Sequence, residues 1–122
     1  TGAAIVALGE SITAVRSNSD ALYSKVEESA KIAGEKIWRL PVVEEYKELI
    51  KSDIADLKNT GGRHAGTITA AMFIQEFVEN LEWVHLDIAG PSWNDKESAL
   101  CIKGGTGEGV RTLYNLCKKM AD

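Results

Sequence analysis

The sequence predicts an α/β fold: part of a mixed, mostly parallel sheet with helices on both faces. Three observations carry that expectation. Ala3-Ala4-Ile5-Val6-Ala7-Leu8, closed by Gly9, is apolar without alternation, the pattern of a strand covered on both sides. Glu82-Trp83-Val84-His85-Leu86-Asp87-Ile88-Ala89-Gly90 reads as a second buried strand, with an imidazole and an acid on one face because they stand two apart. Stretches of helical periodicity lie between and after these two. Two strands are few for a doubly wound sheet, so the sheet is expected to be incomplete within this segment.

The elements come in order along the chain. After the first run, Ser17-Asn18-Ser19-Asp20 supplies cap residues for a helix with Leu22, Val26, Ala30 and Ala33 on one face and Gly34 as its stop. Trp38-Arg39-Leu40-Pro41 is a short extended connection, since a residue before proline is pushed toward β geometry. Val43, Tyr46, Ile50, Ile54 and Leu57 then recur at helical spacing, as one helix or as two broken near Ser52. Gly61-Gly62-Arg63-His64-Ala65-Gly66 is a glycine-rich loop. Thr67 is expected to cap the next helix, and the run from Ile68 to Val78 reads as that helix, buried on most sides. Past the second strand, a loop from Pro91 to Gly107 leads to a last helix with Val110, Leu113, Cys117 and Met120 in one stripe.

Composition narrows the function classes. With 122 residues, 44% apolar and 26% charged, the chain is one globular domain or part of one. Its net charge is −4 and its 14 Lys and Arg are scattered, so there is no electrostatic footprint for nucleic acid or an anionic membrane. Cys101 and Cys117 form no C-x-x-C unit, and two free thiols point to a reducing, cytoplasmic setting. The run from Ala3 to Leu8 is too short to span a bilayer and lacks the basic flank of a signal peptide. The chain opens Thr1-Gly2-Ala3 without Met, and is expected to be a piece of a longer protein.

Several groups invite a chemical reading. His85 and Asp87, with His64, have the residue types of a zinc site, but nothing in the spacing returns His64 to that strand, and a hydrogen-bonded core role for the pair is expected. Gly104-Gly105-Thr106-Gly107-Glu108-Gly109 precedes a helix as phosphate-binding loops do, yet it matches neither the Walker nor the G-x-G-x-x-G pattern, and Glu108 would repel phosphate. Close backbone packing is the expectation there. Arg63 beside a helix start could hold a carboxylate by paired hydrogen bonds or pin a neighbouring loop. Asp53 and Asp56 repel as helical neighbours and read as a solvated face. No G-x-S-x-G occurs, and neither cysteine has an activating context.

Taken in order, Thr1-Gly2-Ala3-Ala4-Ile5-Val6-Ala7-Leu8-Gly9, Trp38-Arg39-Leu40-Pro41, Ser52-Asp53-Ile54-Ala55-Asp56-Leu57-Lys58-Asn59, Gly61-Gly62-Arg63, Ala70-Ala71-Met72-Phe73, Trp83-Val84-His85-Leu86-Asp87-Ile88-Ala89-Gly90 and Thr106-Gly107-Glu108-Gly109-Val110-Arg111-Thr112-Leu113 resemble the C-terminal half of the catalytic domain of the leucyl (cytosol) aminopeptidases. The resemblance runs over almost the whole of residues 1–122. It implies a cytoplasmic hexamer that removes N-terminal residues from peptides using two divalent metal ions, zinc or manganese, with bicarbonate as a possible helper.

The same resemblance puts the metal ligands upstream of Thr1, so no residue here is expected to be catalytic or to bind metal. Asn59-Thr60-Gly61-Gly62-Arg63 matches the family's ligand signature only superficially, with glycines where its Asp and Glu stand. By position, Gly2, Ala89 and Ser92 resemble residues lining the pocket for the substrate's first side chain. Arg63, His85 and Asp87 are expected to brace that wall rather than to touch substrate. The alternative is a noncatalytic assembly or peptide-binding module built on the same half-fold, and a weaker one is nucleotide binding at residues 104–109.

Overall fold

The computed structural model describes residues 1–121. The first apolar run is not a strand. Residues Gly2–Leu8 form helix α1, whose N-terminus is capped by the Thr1 hydroxyl accepting from the Ala4 amide at 3.2 Å. Gly9, at φ +75°, closes it by donating its N–H to the Ile5 carbonyl. Three alanines in seven residues favour helix, and six apolar residues are too few for periodicity to decide. Val6, 91% exposed, lies on the outside.

The central strand is one that hydropathy hides. Strand β1, Thr13–Ser17, is buried at all five positions although three of them are Thr, Arg and Ser. Helix α2, Asp20–Ala33, follows with Ser19 as N-cap and Gly34 as left-handed stop, and buries Val26, Ser29 and Ala30. It crosses over to β2, Ile37–Arg39, which pairs parallel to β1 (Thr13 opposite Ile37, Val15 opposite Arg39). Such a crossover is what a parallel pair requires.

Beyond β2, the helix expected across residues 43–57 shrinks to a 3₁₀ turn, Glu44–Ile50. The hydroxyl of Ser52 accepts from the amides of Ile54 and Ala55, and the Lys58 amide turns back to the Ile50 carbonyl at 2.7 Å. Those local bonds replace helical ones, and Ile54 is left 99% exposed. Helix α3, Gly66–Gln75, is the buried helix expected there, though shorter. Its cap is Ala65 at φ +53°, not Thr67, which sits inside the first turn.

Strand β3, Val84–Asp87, pairs antiparallel with β1: Ala14 opposite Asp87, Arg16 opposite His85. The mixed sheet therefore runs β2-β1-β3, with one parallel and one antiparallel pairing. A short hairpin, β4 (Trp93–Asn94) and β5 (Gly104–Gly105), interrupts the loop beyond it. Helix α4, Val110–Ala121, packs against α2. It turns Thr112 and Leu116 inward, while the apolar stripe read from the sequence (Val110, Leu113, Cys117, Met120) faces outward.

Hydrogen bonds assign the helices to faces. Side chains on β1 alternate, and those of Arg16 and of Asp87, opposite Ala14, reach α3 and the α1 cap, whereas Thr13 reaches Glu108 at the entry to α4. Helices α1 and α3 thus cover one face, and the α4 entry meets the other.

Candidate functional site

Asp87 is the hub of the region that the sequence singles out. It ends β3 with 4% of its surface exposed. The backbone nitrogen of Thr1 donates to its Oδ1 at 2.6 Å, and the Thr1 hydroxyl to its Oδ2 at 2.5 Å. The Ala89 amide adds a longer bond to Oδ1 at 3.4 Å. Because the Thr1 proton is given to Asp87, the Thr67 hydroxyl, 2.9 Å away, must donate to Thr1. Burial alone would raise the Asp87 carboxyl, but the bonds from the Thr1 nitrogen, the Thr1 hydroxyl and the Ala89 amide pull it the other way and hold the group below its ordinary value.

This arrangement brings two of the expected wall residues to one place. Gly2 directly follows Thr1, and Ala89 lies two residues past the carboxylate. From Asp87 the chain then runs along α1. At Gly90 a Cβ would fall well inside contact distance of the Gly9 carbonyl oxygen and 3.2 Å from the Glu10 Cα, so only glycine permits the approach. The turn closes when the Ser92 amide donates to the Ile88 carbonyl at 3.0 Å, which leaves Ala89 and Ser92 half-buried at its rim. In the first turn of α1, Gly66 approaches so closely that its Cβ would stand 2.9 Å from that of Ala3.

His85 does not join Asp87 in any shared chemistry. Its cross-strand partner is the buried Arg16, and Trp83 meets it edge-on at 6.1 Å between ring centroids. Burial is the main cause that pushes the imidazole below its ordinary value; Asp87 opposes this and Arg16 adds to it. Arg16 donates to the Gln75 side-chain oxygen and lies over the Trp83 ring, 5.9 Å from its centroid. Its Nε and second Nη, and the Trp83 Nε1, have no protein partner.

Arg63 lies elsewhere. It is exposed, and with His64, Ala3, Val6 and Leu40 it lines a cavity of about 490 Å³ between α1 and the start of α3. Near it, Thr1, Asn59, Thr60, Gly61 and Phe73 border a smaller cavity of about 260 Å³.

Glu108, in the loop ahead of α4, accepts from the buried Thr13 hydroxyl at 2.7 Å. Burial raises its carboxyl; the charge of Glu35 adds to the rise, while the Thr13 bond and Arg111 oppose it. Glu35 itself, buried at the end of α2, accepts from the Thr112 amide at 3.1 Å, from the Thr112 hydroxyl and from Arg111. It caps α4 from another element.

The donors present do not fit a pair of metal ions. Among the described residues, no group of three or more His, Cys, Asp or Glu is placed to hold a cation. Both Asp87 oxygens already accept from Thr1, and a guanidinium faces His85 across the ladder. Among the described residues, no helix is long and apolar enough to cross a membrane. Sequence reasoning missed the partners: Thr1, Thr67, Thr13 and Thr106. An acid inside a predicted buried strand was the available signal, since it demands nearby donors.

Residues 1–114 match the model of the cytosol aminopeptidase family, catalytic domain. The chain is 56% identical over 119 residues to a probable cytosol aminopeptidase of Clostridium perfringens, covering 98% of this chain and 24% of the relative. It is 55% identical over 120 residues to one of Alkaliphilus metalliredigens, with 98% and 24% covered. Among solved structures it is similar to a mutant of tomato leucine aminopeptidase, with TM-score 0.90, 43% identity and 98% and 23% covered. It is also similar to the bottromycin maturation enzyme BotP in complex with Mn, with TM-score 0.95, 39% identity and 100% and 27% covered. The chain therefore spans about a quarter of the length of the relatives it matches.

Proposed function

The chain belongs to the cytosol aminopeptidase family, and on that premise we propose that residues 1–122 form part of the catalytic domain of a metal-dependent aminopeptidase, in which they build one wall of the pocket for the substrate's N-terminal side chain. Gly2, Ala89 and Ser92 are the wall. Their small side chains leave room for a leucine-sized group, where one methylene of fit is worth about 1–3 kcal/mol. The substrate is a peptide with a free N-terminus, the working assembly a homo-oligomer of hexameric type, and the setting the cytoplasm. The two divalent ions are held by residues outside this sequence; in support, no group of three or more His, Cys, Asp or Glu gathers among the described residues, and both Asp87 oxygens accept from Thr1.

One observation carries the reading: a single buried carboxylate, Asp87, binds both Thr1, next to Gly2, and the Ala89 amide. Two stretches far apart in sequence are thereby fixed to one anchor. Asp87 and the close Gly90–Gly9 approach orient the wall, and His85 stiffens the strand behind it.

Substitution of Ser92 by Trp in the full-length enzyme tests the reading. The expected result is a fall of about tenfold or more in kcat/KM for leucine anilide relative to alanine anilide, with metal content unchanged. An unaltered preference removes Ser92 from the wall. Supplied with zinc or manganese, the 122-residue chain alone should turn over no leucine anilide, and chelator-sensitive turnover by it would overturn the placing of the ligands outside it.

A further inference from the structure

The pocket wall leaves the main sheet at Asp87, and from Gly90 onward no strand of that sheet holds it. The hairpin beyond it is two residues to a strand, too short to be rigid by itself. Pro91 has no N–H, and its carbonyl is buried with the residue. A buried carbonyl needs a donor.

Thr106 supplies it. Its hydroxyl donates to the Pro91 carbonyl at 2.6 Å, and its amide to the Ser92 carbonyl at 3.0 Å. The same hydroxyl accepts from the Glu108 amide at 3.2 Å. Thr106 is in turn tied to fixed parts of the molecule: two residues on, Glu108 takes the Thr13 hydroxyl of the central strand, and Glu35 holds the first turn of α4. Gly105 and Gly107 flank it, the latter at φ +72°, so the adjoining backbone contributes little stiffness. The hydroxyl is the point at which the anchored α4 entry grips the far end of a wall that Asp87 and the Gly90 approach hold at its start.

We propose that Thr106 is a positioning residue for the substrate pocket: by holding the Pro91 and Ser92 carbonyls it sets where the 89–92 wall stands, and so which N-terminal side chains are accepted. This rests on the reading of Ala89 and Ser92 as pocket wall. Displacement of a wall by about 1 Å is enough to cost up to a hundredfold in rate.

The test compares Thr106→Val with Thr106→Ser in the full-length enzyme, using leucine, methionine and alanine anilides. Val removes the hydroxyl at nearly constant volume, and Ser keeps it. The expected result is a change of about fivefold or more in the ratio of kcat/KM values between leucine and alanine substrates for Thr106→Val, mostly through KM, and about twofold or less for Thr106→Ser. Metal content should be the same in both. A ratio unmoved in Thr106→Val, with only thermal stability lowered, overturns the proposal. If Thr106→Val does not accumulate as folded enzyme, Thr106→Ala is measured instead. Loss of folding in both also overturns it, because the hydroxyl then serves the fold and not the pocket. Ser92→Trp separates the two levels. If it shifts preference and Thr106→Val does not, only Thr106 fails; if Ser92→Trp shifts nothing, the wall itself is misplaced.

Discussion

The two ends of β3 bury charge in opposite ways. At the C-terminal end, the Asp87 carboxylate has a donor for each oxygen and ties α1 to the turn beyond the strand. Toward the N-terminal end, His85 and Trp83 face Arg16, 1% exposed, with a single side-chain acceptor and two nitrogens unpaired. The Glu44 carboxylate attracts Arg16 but is bonded instead to Lys47. A satisfied buried charge is costly to break because its partners would be left unpaired; an unsatisfied one costs stability as it stands. The satisfied end is where the proposed pocket begins. The other end supports it only by filling space.

This contrast sets the order of expected effects. The largest belongs to Gly90→Val, which drives a side chain into the Gly9 carbonyl; backbone must move, and a loss of about 3 kcal/mol or more is expected in denaturant unfolding, together with lost turnover. Next is Asp87→Ala, expected to cost about 2–4 kcal/mol, because the Thr1 and Ala89 donors lose their shared acceptor. Arg16→Met should go the other way. It removes a buried, half-paired guanidinium at similar volume and is expected to be neutral or to stabilise by up to about 2 kcal/mol. A clear loss of stability in Arg16→Met would erase the distinction between the two ends.

The pH dependence sharpens the same comparison. Folding lowers the His85 proton affinity, so the unfolded chain binds more protons as pH falls below about 6.5, and stability is lost from there downward toward the folded value. Arg16→Met should narrow that window, seen as a higher imidazole titration by NMR. Glu108 has the opposite sense. Its carboxyl is raised above 4.5 on folding, so the native state holds the proton longer and stability falls as pH climbs through that interval. Glu108→Gln keeps an acceptor for Thr13, and is expected to add less than about 1 kcal/mol near neutrality while flattening this part of the curve.

Much of the molecule can be read from residue order where a local signal and the tertiary outcome agree. The α2 helix shows its Ser19 cap, its Val26 and Ala30 face and its Gly34 stop in sequence. Residues 84–87 form the strand expected of them, and Asp87 at its end accepts from the Thr1 hydroxyl. Residues 3–8 mislead because an apolar run of that length satisfies helix and strand equally, and the deciding contacts, the Thr1 cap and the Ala3–Gly66 crossing, are not periodic features. Strand β1 is invisible for the converse reason. Its Thr13, Arg16 and Ser17 are buried through hydrogen bonds to Glu108, Gln75 and the Trp83 carbonyl, none of which hydropathy can register. The role of Thr106 depends on a partner carbonyl 15 positions away and has no local mark.

The Glu35 carboxylate has a consequence for the order in which this chain acquires structure. It lies 77 positions from the Thr112 amide it receives, so the last helix gains its first-turn partner only once the α2 end has arrived. Nucleation of that helix is then a long-range event, in a segment where Gly109 rather than a serine or threonine directly precedes Val110. Hydrogen exchange at the Thr112 amide should track the opening of the whole α2–α4 layer, with protection well above that of a fraying helix end.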